Sequence, residues 1–336
     1  MKPFLTFLFL VFFSFSLGGK IQAVFSEPVN PTQLLMDDRQ IYVVDFPFIY
    51  IYSKIDFSLR TKLGGEGEGP QRFQFHRGSL VNKTAAFKVN VRSGQLMVSS
   101  QGKLSFYSMD GTYEQEIRTN HRHDHRFCRI GSKFMGLTSR RGADNLFYVK
   151  LSLYNATLKP EKNIFEFKRF SQPPNGDVNV VYDQGVIYDM DGMHIFVTAV
   201  GREDSVIDVL DLTGKKLFSI AYPYETPVVT EQNRARYLDF YRAGPLKYVW
   251  DRFKKQIRFP VHFPGLRNFS ISDGHIYVLT FKKMKGDSEL VVLDLKGNFL
   301  KKAMIPLKEK DIYYYPYCIY QEHFYQLVEN VDQEQW

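Results

Sequence analysis

The 336-residue sequence has no long apolar run after its first 20 residues. A helix that crosses a bilayer needs about 20 mostly apolar residues, so we expect no membrane span there. The one apolar run, residues 4–17, is short, follows Lys2 and precedes small and polar residues up to Ala23. This order is typical of a secretory signal peptide. We therefore expect residues 1–23 to be a signal peptide and residues 24–336 to be exported, to a periplasm or to the extracellular medium.

Two further absences narrow the function. No cysteine lies near the expected cleavage site, which disfavours a lipid-anchored form. The Gly-x-Ser-x-Gly motif, the sharp turn that exposes the nucleophilic serine of many hydrolases, does not occur either. The sequence therefore gives no support for nucleophilic catalysis by serine.

What the sequence does contain is one unit repeated six times. Each copy is a turn rich in Gly, Asp or charged residues, followed by about five apolar residues and then by more alternating strand pattern. The copies are residues 39–44, 94–98, 131–135, 192–197, 274–279 and 321–327. Recurrence of one supersecondary unit is typical of a β-propeller. We predict an all-β, six-bladed β-propeller over residues 24–336, because a chain of this length suits blades that pack only on their neighbours.

The fifth copy sets the template for a blade. Its four predicted strands are residues 269–272, 275–281, 289–295 and 299–305. The sixth copy is short, since only residues 329–336 follow its second strand. An open propeller would expose strand edges, so we expect the mature N-terminus near Val24 to complete blade six.

The two cysteines, Cys128 and Cys318, fall on blades three and six in this count. Pairing is possible in an exported chain. A disulfide, however, needs Cα atoms within about 7 Å, and these two blades lie across the central axis from each other. We therefore do not expect the pair to form.

The glycine-rich segment from Lys62 to Phe73 reads Lys-Leu-Gly-Gly-Glu-Gly-Glu-Gly-Pro-Gln-Arg-Phe. It resembles the link between blades in NHL-like six-bladed β-propellers, but has Gln71-Arg72 where that family often has Gly-Glu. The resemblance implies the same fold and, for function, a binding scaffold or, more rarely, a lyase or hydrolase. A phosphate-binding loop is disfavoured, because Glu66 and Glu68 would repel an anion and no Lys-Ser or Lys-Thr follows.

Links that run from the outer strand of one blade to the inner strand of the next emerge on one face of a propeller, which we call the link face. Three irregular segments occupy such links, residues 64–72, 120–126 and 223–264. The link face is therefore the candidate binding site.

The longest link predicts a helical insertion, residues 226–267, between blades four and five. Thr230 can cap a first helix over residues 231–242 that Gly244 ends. Pro245 can open a second helix, with an apolar stripe of Leu246, Val249, Trp250, Phe253 and Ile257 at helical spacing. The insertion has three acidic residues against nine basic ones, a net charge of +6: Arg234, Arg236, Arg242, Lys247, Arg252, Lys254, Lys255, Arg258 and Arg267.

This charge has two interpretations. The insertion is either a packed helical pair with an ordinary solvated surface or a basic lid that attracts anionic partners. On the second interpretation the ligand-binding residues are Arg122, Arg126, Lys247, Lys254, Lys255 and Arg258. The partner would be a protein or an anionic ligand bound by a monomer. Nucleic acid is disfavoured by the expected export rather than by charge.

Three histidines, His121, His123 and His125, alternate along the link between blades two and three. Alternate residues of an extended segment face one side, and three imidazoles can bind zinc or copper with a position left for water. The arginines between them oppose a cation, so a divalent metal and an exposed polar link both stay open.

The function that we predict is a non-catalytic binding propeller with no cofactor, whose partner contacts the link face. The alternative is a metal-dependent hydrolase or lyase with its site at the channel mouth.

Overall fold

The computed structural model describes residues 21–74, 87–92, 94–119, 126–143, 147–169, 178–179, 185–201, 206–221, 224–244, 247–248, 250–255, 257–330, 332 and 335–336. Five sheets in this part of the chain have four antiparallel strands each, arranged in chain order. Their arrangement is an all-β propeller, and we number these sheets as blades one to five.

The strands of the first three blades, and one short strand after them, are as follows. Blade one contains β1 (Gln33–Met36), β2 (Gln40–Asp45), β3 (Phe48–Ser53) and β4 (Leu59–Gly64). Blade two contains β5 (Lys88–Arg92), β6 (Gln95–Ser100), β7 (Lys103–Ser108) and β8 (Tyr113–Arg118). Blade three contains β9 (Arg126–Ile130), β10 (Lys133–Arg141), β11 (Phe147–Tyr154) and β12 (Pro160–Arg169), and β13 (Val178–Asn179) follows it.

The remaining described residues add two blades, two helices, one short strand that pairs with β13, and two further pairs of short strands. Blade four contains β14 (Val186–Met190), β15 (His194–Ala199), β16 (Ile207–Asp211) and β17 (Lys216–Ile220). The link after it contains α1 (Glu231–Ala243), α2 (Trp250–Phe253) and β18 (Ile257–Arg258). Blade five contains β19 (Asn268–Ser272), β20 (His275–Met284), β21 (Asp287–Asp294) and β22 (Phe299–Ile305). Then come β23 (Glu309–Lys310), β24 (Tyr313–Tyr314), β25 (Tyr317–Tyr320) and β26 (His323–Gln326).

In three blades the second strand is buried along nearly its whole length. In β2, β6 and β15 every residue after the first is buried. Such a strand is covered on both faces by neighbouring blades, and it therefore reads as a continuous apolar run rather than as an alternating one. This explains why the repeated unit in the sequence is a turn followed by about five apolar residues.

The turn between the third and fourth strands also recurs. In blades four and five, an Asp Oδ1 accepts hydrogen bonds from the backbone N–H groups two and four residues later: Asp211 from Thr213 and Lys215, and Asp294 from Lys296 and Asn298. The glycine three residues after each Asp has a positive φ, +76° at Gly214 and +90° at Gly297. A side chain at either position would collide with the outer strand of the preceding blade, at Ile164 and at Ile220. The same glycine thus sets the turn and the packing between blades.

The glycine-rich link between blades one and two folds around Phe73. The Phe73 N–H donates to the carbonyl of Gly65, its carbonyl accepts from the Gly67 N–H, and its ring is fully buried in the core between these blades. Lys103 Nζ donates to the carbonyl of Gly69 at 2.8 Å. The link is therefore an anchored connection rather than an open loop.

The prediction of six blades is wrong, because only five blades with four strands are found in the described residues. The segment expected to form blade six gives the two-stranded hairpin β25–β26, which contacts both β1 and β19. The described residues after β26 form no further strand; they contribute an isolated bridge between Asn330 and Gln335. The hairpin lies between blades five and one.

The N-terminal segment also lies at this junction. Phe25 and Trp336 exchange two backbone hydrogen bonds, and both side chains are buried with Tyr52 of blade one. Glu27 accepts a hydrogen bond from the Tyr52 hydroxyl at 2.8 Å. The segment expected to pair with blade six therefore pairs through Phe25, and its partner is the residue at position 336 rather than β26.

The two predicted helices have different outcomes. The first is α1, with Thr230 and Asn233 forming a reciprocal cap at its start and Gly244 at its end. The second is a single turn, α2, and Ile257, expected on the helical stripe, is instead buried in β18. A strand forms there because β18 pairs in parallel with β13. Trp250 is half-buried, while Val249 lies outside the described residues and the Phe253 side chain is not described.

Polar side chains tie the inner strands together around the axis. Gln33 bonds to the backbone of Val89, and Asn90 donates to the carbonyl of Phe127. Arg92 reaches from blade two to blade four, where it contacts Asp189, whose other oxygen accepts the Ile271 N–H of blade five. Neither helix in the described part of the chain has the length and apolar content needed to cross a membrane.

Candidate functional site

The links between blades three and four and between blades four and five lie against each other. The parallel pairing of β13 with β18 joins them, and both run from an outer strand to the next inner strand. The helix α1 belongs to the second of these links. The link face around blade five is therefore formed largely by the predicted insertion.

A group of three cations surrounds one carboxylate on this face, and we call it the Glu309 cluster. Arg236 Nη1 lies 2.7 Å and Lys283 Nζ 2.6 Å from Oε2 of Glu309. Arg267 Nη1 lies 2.9 Å from Oε1. One negative charge is thus matched by three positive charges, which leaves the cluster with a net charge of +2.

Each member of the cluster comes from a different element. Arg236 lies on α1, Arg267 immediately precedes β19, Lys283 lies on β20 and Glu309 begins β23. Blade five is the rigid support of the cluster, because its central strands, β20 and β21, are buried. The cluster therefore joins the insertion to the blade and to the next link.

Two aromatic contacts hold α1 in place. The Phe240 ring packs edge-on against Tyr313 at 5.4 Å between centroids. Tyr237 packs on a small core formed by Val229, Phe263 and Phe281. Because no residue of α1 is fully buried, the helix lies on the surface of blade five rather than within the core.

Arg267 is the most constrained cation. Its guanidinium stacks 3.7 Å from the centroid of Tyr314, and Nη2 donates to the carbonyl of Ile312 at 2.9 Å. A planar guanidinium that is stacked and hydrogen-bonded in this way is fixed in orientation. Arg267 therefore lies on the buried side of the cluster, in a fixed orientation.

Burial and charge act in opposite directions on Glu309, whose side chain is 9% exposed. Burial alone would raise the pKa of this carboxyl, but the hydrogen bond from Lys283 and the charges of Arg267 and Arg236 outweigh it and lower the pKa below its usual value. Glu309 is therefore ionised at neutral pH. Arg236 and Lys283 remain 42% and 39% exposed, so their charges also face solvent.

A neighbouring group on the same face is balanced. Lys282 lies 2.6 Å from Glu225 and 3.9 Å from the buried Glu289, and Lys302 lies 3.6 Å from Glu289. Two cations thus meet two carboxylates. Unlike the Glu309 cluster, this group carries no excess positive charge.

Four predicted ligand-binding residues lie along the insertion in the described part of the chain. Lys247 is exposed beside the Tyr248 ring, and Lys254 pairs with Asp251 at 2.6 Å. Lys255 is exposed, and its carbonyl accepts a hydrogen bond from Arg258. Of these four residues, the structure thus brings the Arg258 side chain onto the backbone of Lys255.

The other predicted site residues belong to the link between blades two and three. Arg126 is the first residue of β9, and its side chain is not described. Arg122 and the histidines His121, His123 and His125 lie outside the described residues. Within the described ranges, no group of three His, Cys, Asp or Glu residues could hold a metal ion. The metal prediction therefore stays a prediction.

Sequence reasoning counted Arg236 and Arg267 as basic residues of the insertion but missed Lys283 and Glu309. These two lie outside the insertion, and Glu309 is 73 positions from Arg236. No motif or spacing connects positions so far apart. The one local feature is that Glu309 stands between two lysines, Lys308 and Lys310.

No family model and no curated protein match the chain. Among solved structures, the chain is similar to the Neurospora crassa Pan2 WD40 domain, with 8% identity, a TM-score of 0.38, and coverage of 82% of this chain and 78% of that one. A Bacteroides caccae protein of unknown function gives 12% identity, a TM-score of 0.35, and coverage of 85% and 80%. Kuenenia stuttgartiensis hydrazine synthase gives 15% identity and a TM-score of 0.33; 69% of this chain spans 53% of that one. The assignment of the propeller fold rests on the strand pairing described above, and the resemblance to NHL-like propellers stays a prediction.

Proposed function

We propose that this chain is an exported, non-catalytic binding propeller that holds an acidic protein partner against its link face. The observation that carries the proposal is the Glu309 cluster, where three cations converge on one carboxylate. The exposed basic residues of the insertion extend the same charge across the face.

The proposed contact is electrostatic. Charges that are exposed to solvent attract an acidic partner over roughly one Debye length, about 10 Å at 0.1 M salt. Complementary charge of this kind mainly raises the association rate and selects the partner. Binding should therefore be sensitive to salt.

The test measures binding of a fluorescent deca-glutamate peptide by anisotropy at low and at high salt. The variant is Lys254→Glu with Lys255→Glu, which reverses two exposed charges of the insertion. We expect weaker binding by the variant at low salt, and little binding by either protein at 1 M salt, where the Debye length is about 3 Å.

The matched control is Lys215→Glu with Lys296→Glu. Both lysines are exposed in turns between third and fourth strands, which emerge on the opposite face of the propeller. This control has the same net charge as the variant and should bind like wild type. Equal binding by all three proteins, or equal losses in the variant and the control, would overturn the proposal.

A further inference from the structure

Two half-exposed cations of the Glu309 cluster contact the same carboxylate oxygen. Arg236 Nη1 and Lys283 Nζ lie 2.7 and 2.6 Å from Oε2 of Glu309. Their two nitrogen atoms are consequently close enough for a single carboxylate to bridge them. Glu309 itself shows that these donors bind a carboxylate in this geometry.

The two cations keep donors for a further group. An arginine side chain has five N–H donors and a lysine ammonium has three. Arg236 and Lys283 each use one of these donors to bind Glu309. Arg267, by contrast, is largely buried and uses its donors on Glu309, Tyr314 and Ile312. The outward side of the cluster is therefore Arg236 and Lys283.

We propose that Arg236 and Lys283 form a binding subsite for a carboxylate of an acidic peptide, which binds beside Glu309. This inference rests on the proposed function, because it identifies the part of the link face that selects the ligand. Because its net charge is +2, the cluster remains cationic, at +1, when one further carboxylate binds. Glu309 orients the two donors and at the same time repels the incoming carboxylate.

Because Glu309 repels the incoming carboxylate, removing its charge should strengthen binding. Replacing Glu309 by the uncharged Gln keeps the length of the side chain and one accepting oxygen, exchanges the other oxygen for an NH2 group, and raises the charge of the cluster by one unit. Glu309→Gln should bind deca-glutamate about threefold more tightly than wild type at low salt, since a nearby unit charge changes a partly exposed ionic contact by roughly that factor.

The matched control is Glu161→Gln, which raises the net charge of the protein equally. Glu161 pairs with Lys133 in blade three, away from the cluster. Its affinity for deca-glutamate should equal that of wild type. An unchanged or weaker affinity in a folded Glu309→Gln protein would overturn the inference.

A second pair of variants keeps the inference testable if Glu309→Gln does not fold. Arg236→Ala should lower the affinity roughly fivefold, whereas Arg242→Ala, which removes an exposed arginine of the same helix paired with Asp239, should change it little. Equal losses in both would mean that α1 contributes only general charge. If the Lys254 and Lys255 reversal weakens binding but the Arg236 and Glu309 variants do not, the subsite is wrong and the proposed function stands.

Discussion

Phe25 and Trp336 exchange two backbone hydrogen bonds, of 2.7 and 2.9 Å between nitrogen and oxygen. The Phe25 ring lies 4.2 Å from the Tyr52 ring, measured between centroids, so the same residue also covers blade one. The two ends of the described chain are thereby joined next to the hairpin β25–β26. In the described part of the chain, the hairpin β25–β26 lacks the third and fourth strands of a complete blade. The contact between Phe25 and Trp336 covers part of the strand edge that is left without them.

Phe25→Ala should therefore destabilise the protein. Removing a buried phenylalanine costs about 3 kcal/mol or more, and the melting temperature measured by circular dichroism should fall by several degrees. Val24→Ala is the matched control, because Val24 is adjacent in sequence but exposed. A melting temperature that is equal in both variants would contradict closure through Phe25.

Gly214 is predicted to tolerate no side chain. At Gly214 and at Gly274 the φ angle is nearly the same, +76° and +74°, so a backbone cost of about 1 kcal/mol applies to alanine at either position. Only at Gly214 would the new Cβ overlap with Ile164 of the preceding blade, and such overpacking adds roughly 1–3 kcal/mol. Urea unfolding should therefore show a larger loss for Gly214→Ala than for Gly274→Ala.

A double-mutant cycle separates the two causes of that loss. Ile164→Ala should recover part of the stability of Gly214→Ala, because it removes Cγ2, the atom nearest to the added Cβ; the Cβ of residue 164, at 2.7 Å, remains, so the recovery is partial. If Ile164→Ala adds its own loss in full, the contact between blades three and four is not the source of the effect.

The Glu309 cluster makes the stability of the protein depend on acid pH. The pKa of Glu309 is lowered from its ordinary value of 4.5 by its cationic neighbours. A carboxyl whose pKa is lower in the folded than in the unfolded protein stabilises the folded state. This stabilisation is fully present above pH 4.5, and it is lost as the pH falls through the pKa of the folded state. The stability difference between wild type and Glu309→Gln should consequently shrink as the pH falls below about 4.5, in urea melts from about pH 7 to 3. A constant difference over this range would contradict the charge network.

The two free cysteines should resist alkylation in the folded protein. Burial raises the pKa of the Cys128 thiol to about 12 and that of Cys318 to about 12. Only the thiolate reacts with iodoacetamide, so at about pH 8 both thiols should label far more slowly in the native protein than in urea, as followed by mass spectrometry. Equal labelling rates in the two conditions would show that neither thiol is buried.

Much of the fold could be predicted from the sequence because its signals are local. The predicted outer strand of blade five, residues 299–305, coincides with β22, since the Asp-x-x-Gly turn before it needs only neighbouring residues. The same holds for α1, whose cap is formed by Thr230 and Asn233. The number of blades depends instead on how the strands after β24 pair, and a repeated turn does not determine that.

The candidate site could be predicted only as a face. The charge of the insertion is visible in the sequence. Its second helix is shorter than predicted, because residues 257–258 form β18 and pair with β13 instead of continuing the helix. The convergence of Arg236 and Lys283 on Glu309 depends on the packing of Phe240 against Tyr313. Contacts of this kind appear only when the distant segments are placed together.

An acidic ligand that binds as proposed would cover the insertion and the Glu309 cluster on the link face. Hydrogen exchange with and without deca-glutamate, measured by mass spectrometry at low salt, shows which segments the ligand covers. We predict slower exchange in α1 and in residues 309–314, with no change in the opposite-face turns, residues 211–214 and 294–297. Slower exchange in those turns, or no change anywhere at a saturating peptide concentration, would contradict binding on the link face.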